Sequence, residues 1–158
     1  SMFYHHIFAF VGVIGGGFLS DRLALKSAHF RLIIQCLGLL LGVPFIYEMG
    51  QAETTFNTYL ALSGFGFCRG LYEANLYATL FEVIEPKYRS TSVGLSAMFA
   101  YVTASIAPFL LGYLKPTLGL SDGLSFLSIA YFFGGACVLA TLLFFFKRDC
   151  PLISKMLL

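Results

Sequence analysis

Charged residues are scarce in this 158-residue chain. Ten Lys and Arg and eight Asp and Glu make up 11% of the sequence, against roughly 25% in a soluble globular domain. Together with 58% hydrophobic residues, this scarcity argues against a water-soluble monomer. A mean hydropathy of +0.83 excludes a disordered chain, because disorder requires low hydrophobicity and high net charge. The net charge of +2 is too small to suggest a nucleic acid partner.

Motifs for metal binding and catalysis are also missing from the sequence. The four cysteines show neither metal-ligand spacing nor a disulfide framework, so those within apolar segments are predicted to act as small apolar filler. The sequence contains no Ser/His/Asp set, paired catalytic carboxylates or phosphate-binding loop. Residues 1–10 hold no Lys or Arg, which argues against a cleaved signal peptide. We therefore expect no enzyme activity, no metal and no cofactor.

Long apolar segments are what the chain has in abundance. Five of them are long enough to cross a bilayer as helices, and they lack the alternation of membrane barrel strands. The predicted spans are residues 2–19, 30–47, 57–83, 93–114 and 124–146. The predicted fold class is an all-α integral membrane protein with five transmembrane helices.

Small residues recur at four-residue spacing within three of these spans. Such spacing allows two helices to approach closely, although it also arises by chance in glycine-rich helices. The pairs are Gly12 with Gly16, Gly38 with Gly42, and Gly66 with Gly70.

The distribution of basic residues predicts the orientation. Eight of them fall on one side of the predicted spans, whereas Lys115 alone falls on the other. The eight are Arg22, Lys26, Arg31, Lys87, Arg89, Lys147, Arg148 and Lys155. The positive-inside rule places them, with the tail 147–158, in the cytoplasm, and the N-terminus outside. A chain that starts outside, directly before a span, is an awkward product of insertion, so we expect further helices before Ser1.

The first cytoplasmic connection carries a recognisable motif. Residues 17–26 read GFLSDRLALK, which resembles the signature G-x-L-x-D-R/K-x-G-R/K-R/K of the major facilitator superfamily of secondary transporters. Ala24 replaces the second glycine and Leu25 replaces a basic residue, as is usual in the weaker copy of the motif in the C-terminal half of that fold.

The resemblance extends over nearly the whole chain. Residues 64–73 read GFGFCRGLYE and residues 82–94 read EVIEPKYRSTSVG, which is similar to the family's helix ten, its inner link and the start of helix eleven. The resemblance implies helices eight to twelve, a half-bundle whose partner is a missing N-terminal half-bundle. It also implies transport by alternating access, with proton or sodium coupling, in a plasma or inner membrane.

The family resemblance assigns a conformational latch to the basic side. The motif's aspartate and basic residue act between the two halves of the family fold, so Asp21 is expected at that contact, with Arg22 or Lys26 pairing with Glu82 or Glu85. Independently, a carboxylate at this position can cap the positive end of a neighbouring helix. The alternative is a solvated turn that only sets topology. The predicted latch residues are Gly17, Asp21, Arg22, Lys26, Glu82, Glu85 and Arg89.

Arg69 is the most informative charge, because it falls near the middle of the third predicted span. A charge at that depth is costly unless it has a partner in a bundle interior or wet cavity. Glu73 follows four residues later, on the same helical face. Arg69 either binds an anionic solute while Glu73 orients it or exchanges a proton, or the two form an ion pair that holds helices together. Tyr72 and Asn75 are expected near this face as further solute contacts.

The sequence thus predicts a secondary transporter for a small polar solute, with Arg69 favouring an organic anion such as a carboxylate, sugar acid or phosphorylated metabolite. One alternative is a non-transporting membrane scaffold or receptor component, in which the ion pair is structural. A small membrane enzyme is another, although no catalytic set supports it. His5 and His6 are either proton-coupling groups or ordinary interfacial histidines.

Overall fold

The structure is a computed structural model that describes residues 2–25 and 29–145, and this part of the chain is helical with no strand. The helices are α1 (Met2–Ala24), α2 (His29–Gln51), α3 (Thr55–Val83) and α4 (Arg89–Ala140). A short 3-10 turn, Pro86–Tyr88, precedes α4, and a π-helical turn, Thr141–Phe145, follows it. The all-α prediction is confirmed.

Helix α4 is broken in its interior at Gly119. This residue has φ 79° and ψ 170°, a backbone conformation that glycine adopts at little cost and that other residues rarely adopt. The break divides α4 into a first segment, 89–118, and a second segment, 120–140. It falls between the predicted spans 93–114 and 124–146.

Helix α3 occupies the centre of the bundle. It packs extensively against both α1 and α2, while α2 in turn packs against α4. The contacts of Gly42, Gly50 and Gly135 show that the second segment of α4 is the part that lies against α2. By contrast, none of the described side chains between residues 89 and 113 is buried. The described core therefore consists of α1, α2, α3 and the second segment of α4.

Glycines allow α3 to approach its two neighbours closely. A Cβ added to Gly12 of α1 would meet the Phe67 carbonyl and lie 3.1 Å from the Cα of Gly70. A Cβ added to Gly38 of α2 would lie 2.8 Å from the Cys68 carbonyl oxygen. Real Cβ atoms are not found so close to backbone, so these crossings require glycine. The small-residue prediction is confirmed at both interfaces.

Because consecutive helices run antiparallel, the charged ends of α1 and α3 and the start of α2 lie at the same end of the bundle. Arg31 at the start of α2 contacts Asp21 near the end of α1 and Glu82 near the end of α3. We call this end, formed by residues 20–25, 29–31 and 82–89, the basic end. At the opposite end the Ser121 hydroxyl donates to the Gly50 carbonyl at 2.6 Å, which fixes the second segment of α4 to the end of α2.

Three helices in the described residues are long and apolar enough to cross a membrane: Phe3–Ala24, His29–Gln51 and Ser121–Phe144. Helix α3, which contains the predicted span 57–83, is not among them, because charged and amide side chains lower its hydropathy. The predicted span 93–114 is also not among them, and several of its side chains lie outside the described ones. Phe146, the last residue of the fifth predicted span, and the tail 147–158 lie outside the described residues as well.

Candidate functional site

An ion pair occupies the middle of α3. Arg69 lies fourteen residues after Thr55 and fourteen before Val83, which is about 21 Å from either end of the helix. Its Nε and Nη2 atoms both lie 2.7 Å from Glu73 Oε1. The two side chains are 45% and 41% exposed. The structure thus contains the predicted pair, and it lies on an open face of α3.

The geometry of this pair separates the two interpretations of it. Both residues belong to α3 and are one turn apart, so their contact joins two turns of a single helix. An ion pair that holds helices together needs its partners on different helices. This pair therefore lacks the geometry of the structural alternative.

Glu73 occupies only one edge of the Arg69 guanidinium. The Nε and Nη2 atoms share the single oxygen Oε1 of Glu73, whereas the guanidinium presents five N–H donors in a rigid fork. The other edge, formed by Nη1 and Nη2, is not used by this contact. Such an edge matches a carboxylate or phosphate in two parallel hydrogen bonds.

Aromatic side chains from two other helices flank the pair. His5 of α1 and Tyr131 of α4 both contact Phe65 of α3. Phe65, one turn before Arg69, supports both: His5 stacks on it at 5.5 Å and Tyr131 meets it edge-on at 5.6 Å between ring centroids. Aromatic side chains of α1 and α4 therefore meet α3 at Phe65, one turn before the exposed pair.

Of the two further predicted solute contacts, Tyr72 and Asn75, only Tyr72 lies beside the pair. Tyr72 is within electrostatic range of both charges. Asn75 is 0% exposed and its amide nitrogen donates to the Leu71 carbonyl of its own helix at 3.0 Å. Six residues separate Asn75 from Arg69, which is about 240° around the helix, so Asn75 lies within the bundle and away from the open face.

The basic end contains a second charged cluster, centred on Arg31. Its Nη2 atom donates to Asp21 Oδ1 at 2.9 Å, and its Nε atom lies 3.3 Å from Glu82 Oε1. The side chains of Arg31 and Glu82 are 24% and 21% exposed, whereas Asp21 is 71% exposed. This cluster joins α1, α2 and α3, which the Arg69–Glu73 pair does not do.

Among the described residues, Arg22 is not the partner of Glu82 or Glu85 in the predicted latch. Glu82 pairs with Arg31, and Glu85 pairs with Lys87 at 3.3 Å, whereas Arg22 stacks on the Phe18 ring at 4.5 Å. The Arg22 side chain extends back along its own helix to Phe18, and this direction leads away from Glu82 and Glu85. Lys26 lies outside the described residues.

The remaining latch residues have local roles. The Arg89 Nη2 atom donates to the Phe81 carbonyl at 2.9 Å and so satisfies one of the last carbonyls of α3, where a cation is favourable. A Cβ at Gly17 would meet nothing within 4 Å. Hydrogen bonds to Tyr88 and to the Glu85 carboxylate raise the pKa of Lys87. Asp21 binds a side chain, not the end of a neighbouring helix.

Sequence reasoning missed two residues of these sites. Arg31 was counted only as a topology signal, although its position near the start of the second predicted span, close to the motif, is the signal that could have suggested a pairing role. Tyr131 is 62 positions from Arg69, and no local pattern links it to the site. The described residues contain no group of His, Cys, Asp and Glu that could hold a metal ion.

Comparisons with known proteins do not identify a relative. No known protein family, curated protein or solved structure matches this chain. The functional interpretation therefore depends on the geometry of the two charged clusters.

Proposed function

We propose that this chain is the C-terminal half-bundle of a secondary transporter that moves a small organic anion across a membrane by alternating access. The observation that carries the proposal is the half-exposed Arg69–Glu73 pair in the middle of a 29-residue helix. A charge at mid-membrane depth is costly, and it persists where it serves a solute or ion pathway.

In this proposal, five helices cross the membrane: α1, α2, α3 and the two segments of α4. Three of them are apolar enough for this role on their own. Helix α3 carries its two central charges, Arg69 and Glu73, on one face, so it crosses with that face toward a water-filled pathway. The first segment of α4, which buries none of its described side chains up to residue 113, faces lipid or the missing N-terminal half-bundle.

The open edge of the Arg69 guanidinium receives the anionic group of the solute. Glu73 holds the edge formed by Nε and Nη2 and so fixes the plane of the guanidinium group. Tyr72 and Tyr131 supply hydroxyl groups beside it. Lipid and the N-terminal half-bundle are the partners of this chain, and a proton or sodium ion is the proposed coupling ion.

The Arg31 cluster supplies the latch of the proposed mechanism. It links the ends of α1 and α3 to the start of α2, and the exposed Asp21 carboxylate remains accessible to a group outside the described bundle. A contact made in one conformation and broken in another biases the equilibrium between them. With the basic end in the cytoplasm, this latch favours one of the two access states.

Uptake by the full-length protein in proteoliposomes tests the solute site. We expect Arg69→Lys to reduce uptake of a carboxylate or phosphate solute at least tenfold while abundance stays near normal, because lysine keeps the charge and loses the bidentate geometry. Labelled gluconate, phenylacetate and inorganic phosphate are suitable probes.

The double variant Arg69→Leu with Glu73→Leu separates transport from a structural role. Replacing an ion pair by apolar residues is often neutral or stabilising, so the variant should insert and fold but not transport. Uptake at the parental rate would show that Arg69 does not bind the solute. Loss of the folded protein from the membrane would favour the scaffold or receptor alternative.

A further inference from the structure

A cavity begins about one helical turn from Arg69, at Tyr72. It lies between α2, α3 and the second segment of α4 and has a volume of about 380 Å³, within the usual range of small-molecule pockets, about 300 to 1,000 Å³. Aliphatic side chains from all three helices form its walls. These include Leu39, Leu76, Leu127 and Val138. No charged side chain lines it in the described part of the chain.

Gln35 gives this cavity a polar end. Its side chain lines the cavity and the residue is only 5% exposed, yet its buried amide oxygen has no hydrogen-bond partner among the described residues. A buried amide without a partner is costly. A ligand hydroxyl matches such an amide in either orientation, because a hydroxyl both donates and accepts.

Two tyrosines connect the cavity to Arg69. Tyr72 and Tyr131 line the cavity; Tyr72 lies about one helical turn after Arg69, and the Tyr131 ring contacts Phe65, about one turn before it. Tyr72 follows Arg69 by one helical turn and Leu76 by two, so the cavity begins about 5 Å along α3 from the charge and continues beyond 10 Å. The two tyrosines thus lie between the cavity and the helix turns that flank Arg69.

The geometry points to a solute with three parts: a carboxylate for Arg69, a hydrophobic body for the aliphatic walls, and a hydroxyl group at the far end for Gln35. This inference rests on the proposed transport function and specifies the substrate class of the same site. A sugar acid fits poorly, because its additional hydroxyl groups would lie against leucine and valine side chains without partners. A hydroxylated aromatic carboxylate has all three parts.

Uptake into proteoliposomes, measured separately for four acids, tests this substrate class. The probes are 4-hydroxyphenylacetate, phenylacetate, 4-methylphenylacetate and gluconate, with the full-length protein. We expect the hydroxylated acid to be taken up roughly tenfold more efficiently than the two acids that lack the hydroxyl, which is the discrimination one additional hydrogen bond supplies. Gluconate should be the poorest of the four.

Gln35→Leu should remove this discrimination and bring the ratio between the hydroxylated acid and phenylacetate to about one. Gln51→Leu is the matched control, because Gln51 is an exposed glutamine at the end of the same helix, and it should keep the parental ratio. A Gln35→Leu variant that retains the tenfold preference would overturn the assignment of the hydroxyl to Gln35.

Failure of the substrate class is distinguishable from failure of the transport function. Efficient uptake of gluconate with weak uptake of the aromatic acids would overturn this inference and leave anion transport standing. No uptake of any anion would overturn both. If Gln35→Leu does not fold, the parental preference for the hydroxyl over the methyl group of similar size still decides the question, because it requires no variant.

Discussion

The two faces of α3 differ in packing and in exposure. One face packs through Gly66 and Gly70 against α1 and through Cys68 against α2, with separations that no larger side chain permits. The other carries Arg69 and Glu73, both almost half exposed. Arg69 and Gly70 are neighbours in sequence and yet differ in environment, because consecutive residues point about 100° apart around a helix. Bundle stability and solute chemistry are therefore assigned to different sides of one helix and can be altered separately.

The same division explains why α3 falls below the hydropathy of the other long helices. It has 29 residues, more than α1 or α2, so length does not exclude it from crossing a membrane. Its buried residues are mostly small or apolar, with Asn75 and Thr79 as polar exceptions. The charged residues Arg69 and Glu73 on its open face lower its average hydropathy further.

The largest expected effect is on the packed face, at Gly70. A Cβ there would meet the Ala9 carbonyl and lie 2.7 Å from the backbone nitrogen of Val13. Backbone atoms cannot move aside cheaply, so we expect Gly70→Ala to cost about 3 kcal/mol of unfolding free energy, at the upper end of overpacking effects. Thermal unfolding of the purified protein in detergent measures this loss.

Gly94 provides the matched control for that substitution. It lies in the first segment of α4, and a Cβ there would meet nothing within 4 Å. Gly94→Ala should therefore raise stability by about 0.5 to 1 kcal/mol, because alanine is the better helix former. Equal melting temperatures for the two variants would contradict the close crossing of α1 and α3.

The sequence predicted the packed face of α3 well because the signal was local. Four-residue spacing of Gly66 and Gly70 encodes close approach directly, whatever the partner helix. The Arg69–Glu73 pair was equally predictable, since residues four apart on a helix share a face. In each case the pattern lies within one helix, and helix geometry alone determines the result.

The contacts between helices could not be predicted in the same way. Arg31 is 51 positions from Glu82, and only the packing of α2 against α3 brings the two side chains together. The same holds for Tyr131, which reaches the Arg69 site through the packing of α4 against α2. The sequence places Asn75 near the face of Arg69, whereas the structure buries it within the bundle. The helical angle between them places it on the buried side.

The second expected effect is at the basic end of α3, where Arg31 joins two carboxylates from different helices. Arg31→Leu leaves Glu82 only 21% exposed and without its cation, and Asp21 also loses its partner. Breaking a fully buried pair costs about 3 to 5 kcal/mol, whereas exposed pairs contribute little, so we expect an intermediate loss of about 2 kcal/mol. Chemical denaturation in detergent measures it.

Arg22→Leu is the control for Arg31→Leu, because Arg22 lies over the Phe18 ring of its own helix and should contribute less than about 1 kcal/mol. If the two variants lose equal stability, the Arg31 cluster does not link the helices. A selective change in transport rate by Arg31→Leu, at temperatures where the variant remains folded, would support the latch.

The smallest expected effect is on the buried side of α3, at Asn75, and it has the opposite sign. Asn75 is 0% exposed, and its amide oxygen has no hydrogen-bond partner among the described residues. Removing the amide oxygen that lacks a partner recovers its desolvation cost, about 1 to 3 kcal/mol, while loss of the amide's hydrogen bond to Leu71 and overpacking by leucine offset part of that gain. We therefore expect Asn75→Leu to stabilise the protein by about 1 kcal/mol.

A transport assay completes the test of Asn75. Since Asn75 lies on the buried side of α3, we expect Asn75→Leu to leave the KM for the solute unchanged. Tyr72→Phe, which removes a hydroxyl group beside Arg69, should raise the KM and leave stability nearly unaltered. Suppose instead that Asn75→Leu lowers stability and raises the KM. The amide would then hydrogen-bond to the solute or to a bound water, and the two faces of α3 would not be independent.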